Sequence, residues 1–402
     1  MRWGVLMLAM EKILELVNFI CMIVRKEKYL KQMYSVYMIS FIIITNAGLP
    51  STSPLNSLAR GISAFFLVIL SANIFFMKYT PKEMIFICIL GFFLIISYFN
   101  QQDMTLIRVF LLVVAFKRFD FYKLVKFDFK LKIIGLVIVI CLHYADIFEN
   151  VMIVRDESIR HSLGFIHPNR LAVFVCVIIF QWLVIKMHER KINLYKYLCI
   201  IIVAIITDII TGSRTILFIT LLGILVSMCF YYIPTIIIKK NILNRIITVF
   251  IAPLCALMSY YSTVQFDSKY EIWMILDDFF SRRISMMNSL YNSYGVSIFG
   301  QEVYLVSARV AREQGIMWIV LDNAYMALAI RFGIIILILF LGLSVLLQEK
   351  LIKNQKFEIV MVFTCFAILG LTELQFYMIE FNFSLFAFIF LFQPNSNFHL
   401  NL

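Results

Sequence analysis

The chain has 402 residues, of which 62% are hydrophobic and only 15% charged, and its mean hydropathy is +0.92. A soluble domain carries about 45–50% apolar and about 25% charged residues, and no soluble fold of this length hides that difference from water; a soluble enzyme, a disordered chain and a secreted disulfide scaffold are therefore excluded. Lys+Arg 36 against Asp+Glu 24 gives a formal net charge of +12, which in a polytopic membrane protein has to be sorted loop by loop.

Residues 1–24 are apolar but carry Glu11, Lys12 and Glu15 in mid-stretch, and no small-residue cleavage site follows. Three charges are costly in a bilayer, so an amphipathic helix lying in the interface is favoured over a first span. The apolar runs that follow are 33–49, 61–77, 83–99, 104–116, 133–149, 169–187, 195–211, 215–234, 246–263, 321–347, 358–375 and 377–393. They predict an all-α polytopic membrane protein of about twelve helices, eleven to thirteen, as one integral membrane domain over 1–402. The run 104–116 is short, and only a polar notch at Glu373 and Gln375 separates the last two. Residues 264–320 are a long, polar, aromatic-rich stretch, read as an ordered extracytoplasmic loop at the membrane surface. The eight cysteines lie in apolar runs without a Cys-x-x-Cys pair, so neither a zinc site nor a disulfide framework is indicated. No internal repeat is visible, and the spans read as clean.

Basic loops fall on alternate connections: RKEKYLKQ (25–32), KYTPK (78–82), KRFDFYKLVKFDFKLK (117–132), KMHERKINLYK (186–196), KKNILNR (239–245) and EKLIKNQK (349–356). The positive-inside rule makes that side cytoplasmic, with both termini on it. Residues 46–60, 100–103, 150–168, 212–214, 264–320 and the 373–377 notch then lie outside.

The two faces differ in residue type. The cytoplasmic loops hold eighteen lysines and four arginines; the outer loops and outer helix ends hold eleven arginines and one lysine, Lys269. The positive-inside rule treats Lys and Arg alike, so it does not produce this exchange. Arginine stays charged and binds phosphate or carboxylate through a planar fork, which suits a phosphate or pyrophosphate site at the outer face. The plainer alternative is ion pairing with acids on that side, among them Asp277, Asp278, Glu302 and Asp322.

Three constellations carry the chemistry. In NVMIVRDESIRHSLGFIHPNR (150–170), Arg155, Arg160, His161, His167, Asn169 and Arg170 precede or open a helix that Pro168 is suited to start. Free N–H groups at its mouth favour an anion, and His167 fits a base, an acid, a neutral donor or a simple cap. In DIITGSRTI (208–216), Gly212, Ser213 and Arg214 form a tight outer hairpin, either an anion nest or a plain pair of helix caps. Asp208, about one turn inside its span, calls for a cationic partner. In the long loop, Arg282 and Arg283 follow Asp277–Asp278, and Arg309 and Arg312 share a helix face. The loop ends at LDNAYMALAIRFG, with Asp322 as an N-cap, Asn323 and Tyr325 at the helix start, and Arg331 about two turns into the span.

RHSLGFIHPNRLA, TGSRT and LDNAYMALAIRFG after a long outer loop resemble the Wzy-type polymerases of O-antigen, capsule and exopolysaccharide, from about residue 150 to 345. The resemblance implies a multi-pass protein of the bacterial cytoplasmic membrane with two arginine-rich functional outer loops. It implies glycosyl transfer between oligosaccharide repeat units on an undecaprenyl pyrophosphate carrier, with flippase and chain-length regulator proteins as partners, no nucleic acid and no cofactor or metal. Arg155, Arg160 and Arg170 fall in the first such loop, and Arg282, Arg283, Arg309 and Arg312 in the second. The fixed arginine–glycine interval of some members is absent, Arg283 to Gly300 coming within one residue of it. The arginines, with Arg214, Asn169, Asn323 and Tyr325, would hold substrate and neutralise the departing pyrophosphate; His167, then Glu302 or Asp322, would take the proton of the attacking hydroxyl. Three rivals fit less well. An O-antigen ligase calls for a histidine in the long loop, which has none. A flippase or transporter calls for broken helices and mid-membrane charge. A metal-dependent transferase calls for acids in the first outer loop, which has none.

Overall fold

The computed structural model describes residues 27–46, 53–155, 158–232, 242–280, 282–306, 310–311, 314–316 and 318–393. The segment 1–24, Arg309 and Arg312 lie outside the described residues, and of Arg155 only the backbone is described. The described residues are mostly helical. The elements are α1 (Glu27–Asn46), α2 (Pro54–Ala72, extended by a 3-10 turn Asn73–Phe76), α3 (Pro81–Gln101), α4 (Thr105–Ala115) and α5 (Phe121–Tyr144). A small antiparallel hairpin follows, β1 (Ile153–Arg155) with β2 (Ser158–Arg160), pairing Ile153 with Arg160. Then come α6 (Pro168–His188), α7 (Leu194–Thr211), α8 (Arg214–Tyr232), α9 (Ile242–Val249), α10 (Ile251–Gln265), α11 (Glu271–Phe279) and α12 (Arg283–Tyr294). The last are α13 (Ala324–Ala327), continued as a π turn Leu328–Phe332, α14 (Ile334–Lys353) and α15 (Phe357–Leu369), followed by 3-10 segments Leu374–Tyr377 and Phe383–Phe392.

Among the described residues, six helices are long and apolar enough to cross a membrane: Pro54–Phe76, Pro81–Gln101, Pro168–His188, Leu194–Thr211, Arg214–Tyr232 and Ile334–Lys353. A seventh is the pair α9–α10, bent by 64°. Their starts follow from local chemistry. At α3, Glu83 N–H donates to Thr80 Oγ1 and Thr80 N–H to Glu83 Oε2 at 2.8 Å, with Pro81 in the first turn. The burial pattern is that of a protein in lipid: Phe65, Val68, Phe92, Phe99, Ile209 and Phe218 face outward on these helices. The centre is α6, packed against α5, α7, α8 and α15.

Two expected spans take a different form. Run 321–347 is split by the π turn and Gly333, whose φ is +100°. A Cβ there would stand 2.5 Å from Gly300 N, because residues 297–301 are seated on the break through Ile334 N–H to Ser297 O (2.8 Å) and Gln301 N–H to Arg331 O (2.9 Å). Run 377–393 holds only a 3-10 segment, Phe383–Phe392, after irregular backbone, and the 373–377 notch lies inside the bundle, not in an outer loop: Glu373, Gln375, Glu380, Asn382 and Ser384 are all buried. Irregular backbone at membrane depth is tolerated when protein surrounds it and supplies its hydrogen bonds. Asn382 does so here, donating to Phe376 O at 2.7 Å and accepting from Ser384 N–H at 3.1 Å.

The ends of the bundle are chemically distinct. Lys117–Glu83, Lys126–Glu189, Lys186–Glu189 and Lys353–Glu349 pairs mark one end. Arg283–Glu373, Arg283–Asp322 and Arg331–Asp103 mark the other. Glu83 and Asp103 flank α3, roughly 30 Å apart along its axis.

A candidate functional site at the arginine end

Four segments distant in sequence meet at the arginine end. Arg283, at the start of α12, reaches Glu373 with Nη2 at 2.8 Å and Asp322 with Nε at 3.5 Å. Arg170, in the first turn of α6, lies within electrostatic reach of Glu373, Asp322 and Tyr377 and stacks over the Phe381 ring at 5.2 Å. Its Nη1 is shut off from solvent without a hydrogen-bond partner. Burial works against the Arg283 charge, but the Glu373 and Asp322 carboxylates outweigh it and hold its pKa above the ordinary value. Two guanidinium groups and two carboxylates thus share one partly water-excluded place, with a donor to spare.

The first-loop residues line up beside it. Pro168 opens α6, as expected, and His167 caps it, Nδ1 accepting from Asn169 N–H at 3.1 Å. That bond places the proton of a neutral imidazole on Nε2, and the role the geometry shows for His167 is the cap. Arg160 is buried across the α7–α8 hairpin. Its Nε donates to Thr211 O at 2.6 Å, and its Nη2 donates to Asn169 Oδ1 (2.5 Å) and Ser213 Oγ (3.2 Å). Ser213 in turn donates to Asn169 Oδ1 at 2.9 Å. Gly212 ends α7 in the left-handed conformation (φ +58°), and the Arg160 side chain passes 3.0 Å from where a Cβ would be. Gly212 therefore caps α7, the Ser213 hydroxyl turns to Asn169 and does not cap the first turn of α8, and Arg160 closes over the hairpin while Arg214 is exposed.

The remaining expected residues divide. Asp322 is in the cluster, but Asn323 takes the cap: its Oδ1 accepts from Met326 N–H at 2.9 Å, and its Nδ2 donates to Ser259 Oγ and Leu371 O. That leaves Asp322 to pair with Arg283. Tyr325 points into the core and donates to Ala367 O at 2.7 Å, which makes it a structural residue. Arg282 is an exposed partner of Asp278 (3.7 Å), outside the cluster. Glu302 is exposed and pairs with none of these side chains. Glu373, a member of the cluster, is not marked by any of the three sequence constellations, and neither is Glu380, a second buried acid that accepts from Tyr37 Oη at 2.5 Å and pairs with Arg108 at 3.6 Å. An acid inside an apolar run is the signal that finds both.

Deeper in the bundle, toward the lysine end, Asp128 and Lys132 of α5 form a buried pair. Tyr34 Oη (2.9 Å) and Gln181 Nε2 (2.5 Å) also donate to Asp128. The spans are therefore not clean of charge: the apolar appearance of 133–149 hides a pair one turn upstream that α5 carries into the bundle.

No family model, no curated protein and no solved structure matches this chain.

Proposed function

We propose that the chain is a Wzy-type polymerase that extends a glycan on a polyprenyl pyrophosphate carrier at the outer face of the bacterial cytoplasmic membrane, crossing it about twelve times with both termini inside. The observation that carries this reading is the meeting of Arg170 and Arg283 with Asp322 and Glu373, with Arg170 Nη1 unpartnered. The step is a substitution at the anomeric carbon of the donor. The bond to the pyrophosphate oxygen breaks, a hydroxyl oxygen of the acceptor repeat unit forms the new bond, and its proton passes to a carboxylate. Arg170 and Arg283 stabilise the departing pyrophosphate, and Asp322, the more exposed of the two acids, receives the proton. An apolar groove lined by Leu94, Leu106, Phe110, Ile336, Phe340 and Phe388 offers a place for a prenyl chain.

A lipid-linked oligosaccharide flippase is the second reading. The bent α9–α10 pair, the broken α13–α14 helix and the buried charges Asp128, Lys132 and Glu380 support it. Deleting the gene and sizing the surface glycan separates the two. A polymerase leaves single repeat units on the surface and no long chains; a flippase leaves no surface material and traps lipid-linked units inside. Arg170→Lys, which keeps the charge and loses the fork, is expected to shorten the chains. Normal chain length in that variant removes the pyrophosphate argument.

A further inference from the structure

Asp208 sits in the last turn of α7, and among the described residues no cationic side chain pairs with it. Its Oδ1 is shut off from solvent and has no hydrogen-bond partner. Asp208 lines a small cleft between α6, α7 and α8, directly beneath the Gly212 hairpin, with room for a single water or ion. Four hydroxyl residues line the same cleft: Thr207, Thr211, Ser213 and Thr220.

The direction of their hydrogen bonds decides what the cleft can hold. Thr207 donates to Val203 O, Thr211 to Thr207 O and Thr220 to Ile216 O, at 2.8, 2.8 and 2.7 Å. Ser213 donates to Asn169 Oδ1 at 2.9 Å. Every hydroxyl proton is thus spent on a helix carbonyl or on Asn169, so these oxygens have only lone pairs left to offer. The nearby guanidinium, Arg160, directs its Nε and Nη2 to Thr211 O, Asn169 and Ser213. The oxygens of the cleft are acceptors grouped around a carboxylate, and the rest of its lining is apolar apart from the Cys176 thiol. Hard cations take all-oxygen ligand sets of this kind, and a single carboxylate matches a single positive charge.

We propose that Asp208 and its hydroxyl neighbours bind one monovalent alkali cation, Na+, between α6, α7 and α8. Bound there, the ion joins the end of α7 to Ser213 and α8, and through the Ser213–Asn169 hydrogen bond it steadies Asn169 beside the pyrophosphate site. The binding itself does not depend on what that site does.

The test is equilibrium binding of 22Na+ to the purified full-length chain in detergent, in choline chloride at constant ionic strength. One saturable site per chain is expected, displaced by unlabelled Na+ and not by choline. Asp208→Asn, which keeps size and shape, is expected to weaken binding by about tenfold or more, and Thr220→Val to weaken it as well. Thermal unfolding in choline chloride shows that each variant is folded. No saturable 22Na+ binding by the wild type, or undiminished binding by folded Asp208→Asn, overturns the proposal. Should Thr220→Val fold poorly, Thr207→Val provides the same test from the neighbouring turn.

Discussion

Replacing Arg283 by alanine strikes the most consequential contact in the cluster. At 2.8 Å the Arg283–Glu373 attraction is about 6 kcal/mol for an effective dielectric near 20, before desolvation is counted. Both side chains are close to fully buried, 11% and 8% exposed, so the alanine variant leaves a buried carboxylate without its partner, a change that costs about 3–5 kcal/mol. The Asp322 contact adds little, being longer at 3.5 Å and reaching a carboxylate that is 31% exposed. Arg283→Lys keeps the charge but not both contacts and should lose one charge-assisted hydrogen bond, about 1.5–3 kcal/mol. Arg283→Ala combined with Glu373→Gln removes the stranded charge and should recover at least half of the alanine loss. Unfolding in mixed detergent–SDS micelles gives these differences. Labelling of Cys176, Cys255 and Cys365, all buried, reports the transition once exposed Cys88 and Cys141 are blocked. A loss below about 1 kcal/mol for Arg283→Ala, or a double variant no more stable than the single one, refutes the assignment of Glu373 as the partner.

Three further outcomes follow from the geometry. His167→Ala should cost about 1 kcal/mol through the lost cap, and His167→Asn should restore stability; if it also restores full glycan length on sizing gels, His167 is a cap and nothing more. Arg282→Ala should leave chain length unchanged on the same gels, because its Asp278 pair is exposed on both sides. At the lysine end, hydrogen bonds from Lys126 and Lys186 lower the Glu189 pKa from its ordinary 4.5 to about 2. A depressed carboxylate stabilises above its unfolded pKa, and that contribution fades as the pH falls from 4.5 toward 2. Wild type should therefore exceed Glu189→Gln in melting temperature at neutral pH, the gap closing in acid and shrinking in salt.

What the sequence disclosed depended on whether the signal was local. Pro168, His167 and Gly212 do what neighbours in the chain dictate, so the start of α6 and the α7–α8 hairpin were legible. The segregation of lysine from arginine was legible too, because helix ends alternate. The partners were not. Arg283 and Glu373 are 90 residues apart, Arg331 and Asp103 are 228 apart, and no periodicity ties them. Hydropathy also reads Phe383–Phe392 as a helix like any other, because composition does not register that the segment is enclosed by protein and free to depart from α geometry. The Asp322–Asn323 exchange is subtler. Either residue can cap, and the one that finds Ser259 and Leu371 O on its other side wins.

At the arginine-rich end the two readings of the charge, an anion site and ion pairing with local acids, meet in one cluster. Two guanidinium groups, Arg170 and Arg283, stand against two carboxyl groups, Asp322 and Glu373, so the acids offset the large cost of leaving isolated cations away from water. A pyrophosphate cannot simply be added to such a cluster, because its oxygens must displace a carboxylate from a guanidinium or meet one that has become protonated. On the proposed reading both demands are met by the same event. Transfer of the acceptor hydroxyl's proton to Asp322 neutralises the weaker partner of Arg283 at the moment the leaving pyrophosphate gains charge. The fork then has one arm on Glu373 and one free for phosphate oxygen, while Arg170 Nη1, already without a partner, needs no release. Lysine's compact ammonium lacks the rigid planar fork that holds a carboxylate and a phosphate oxygen side by side, which supplies a physical reason for arginine in this cluster.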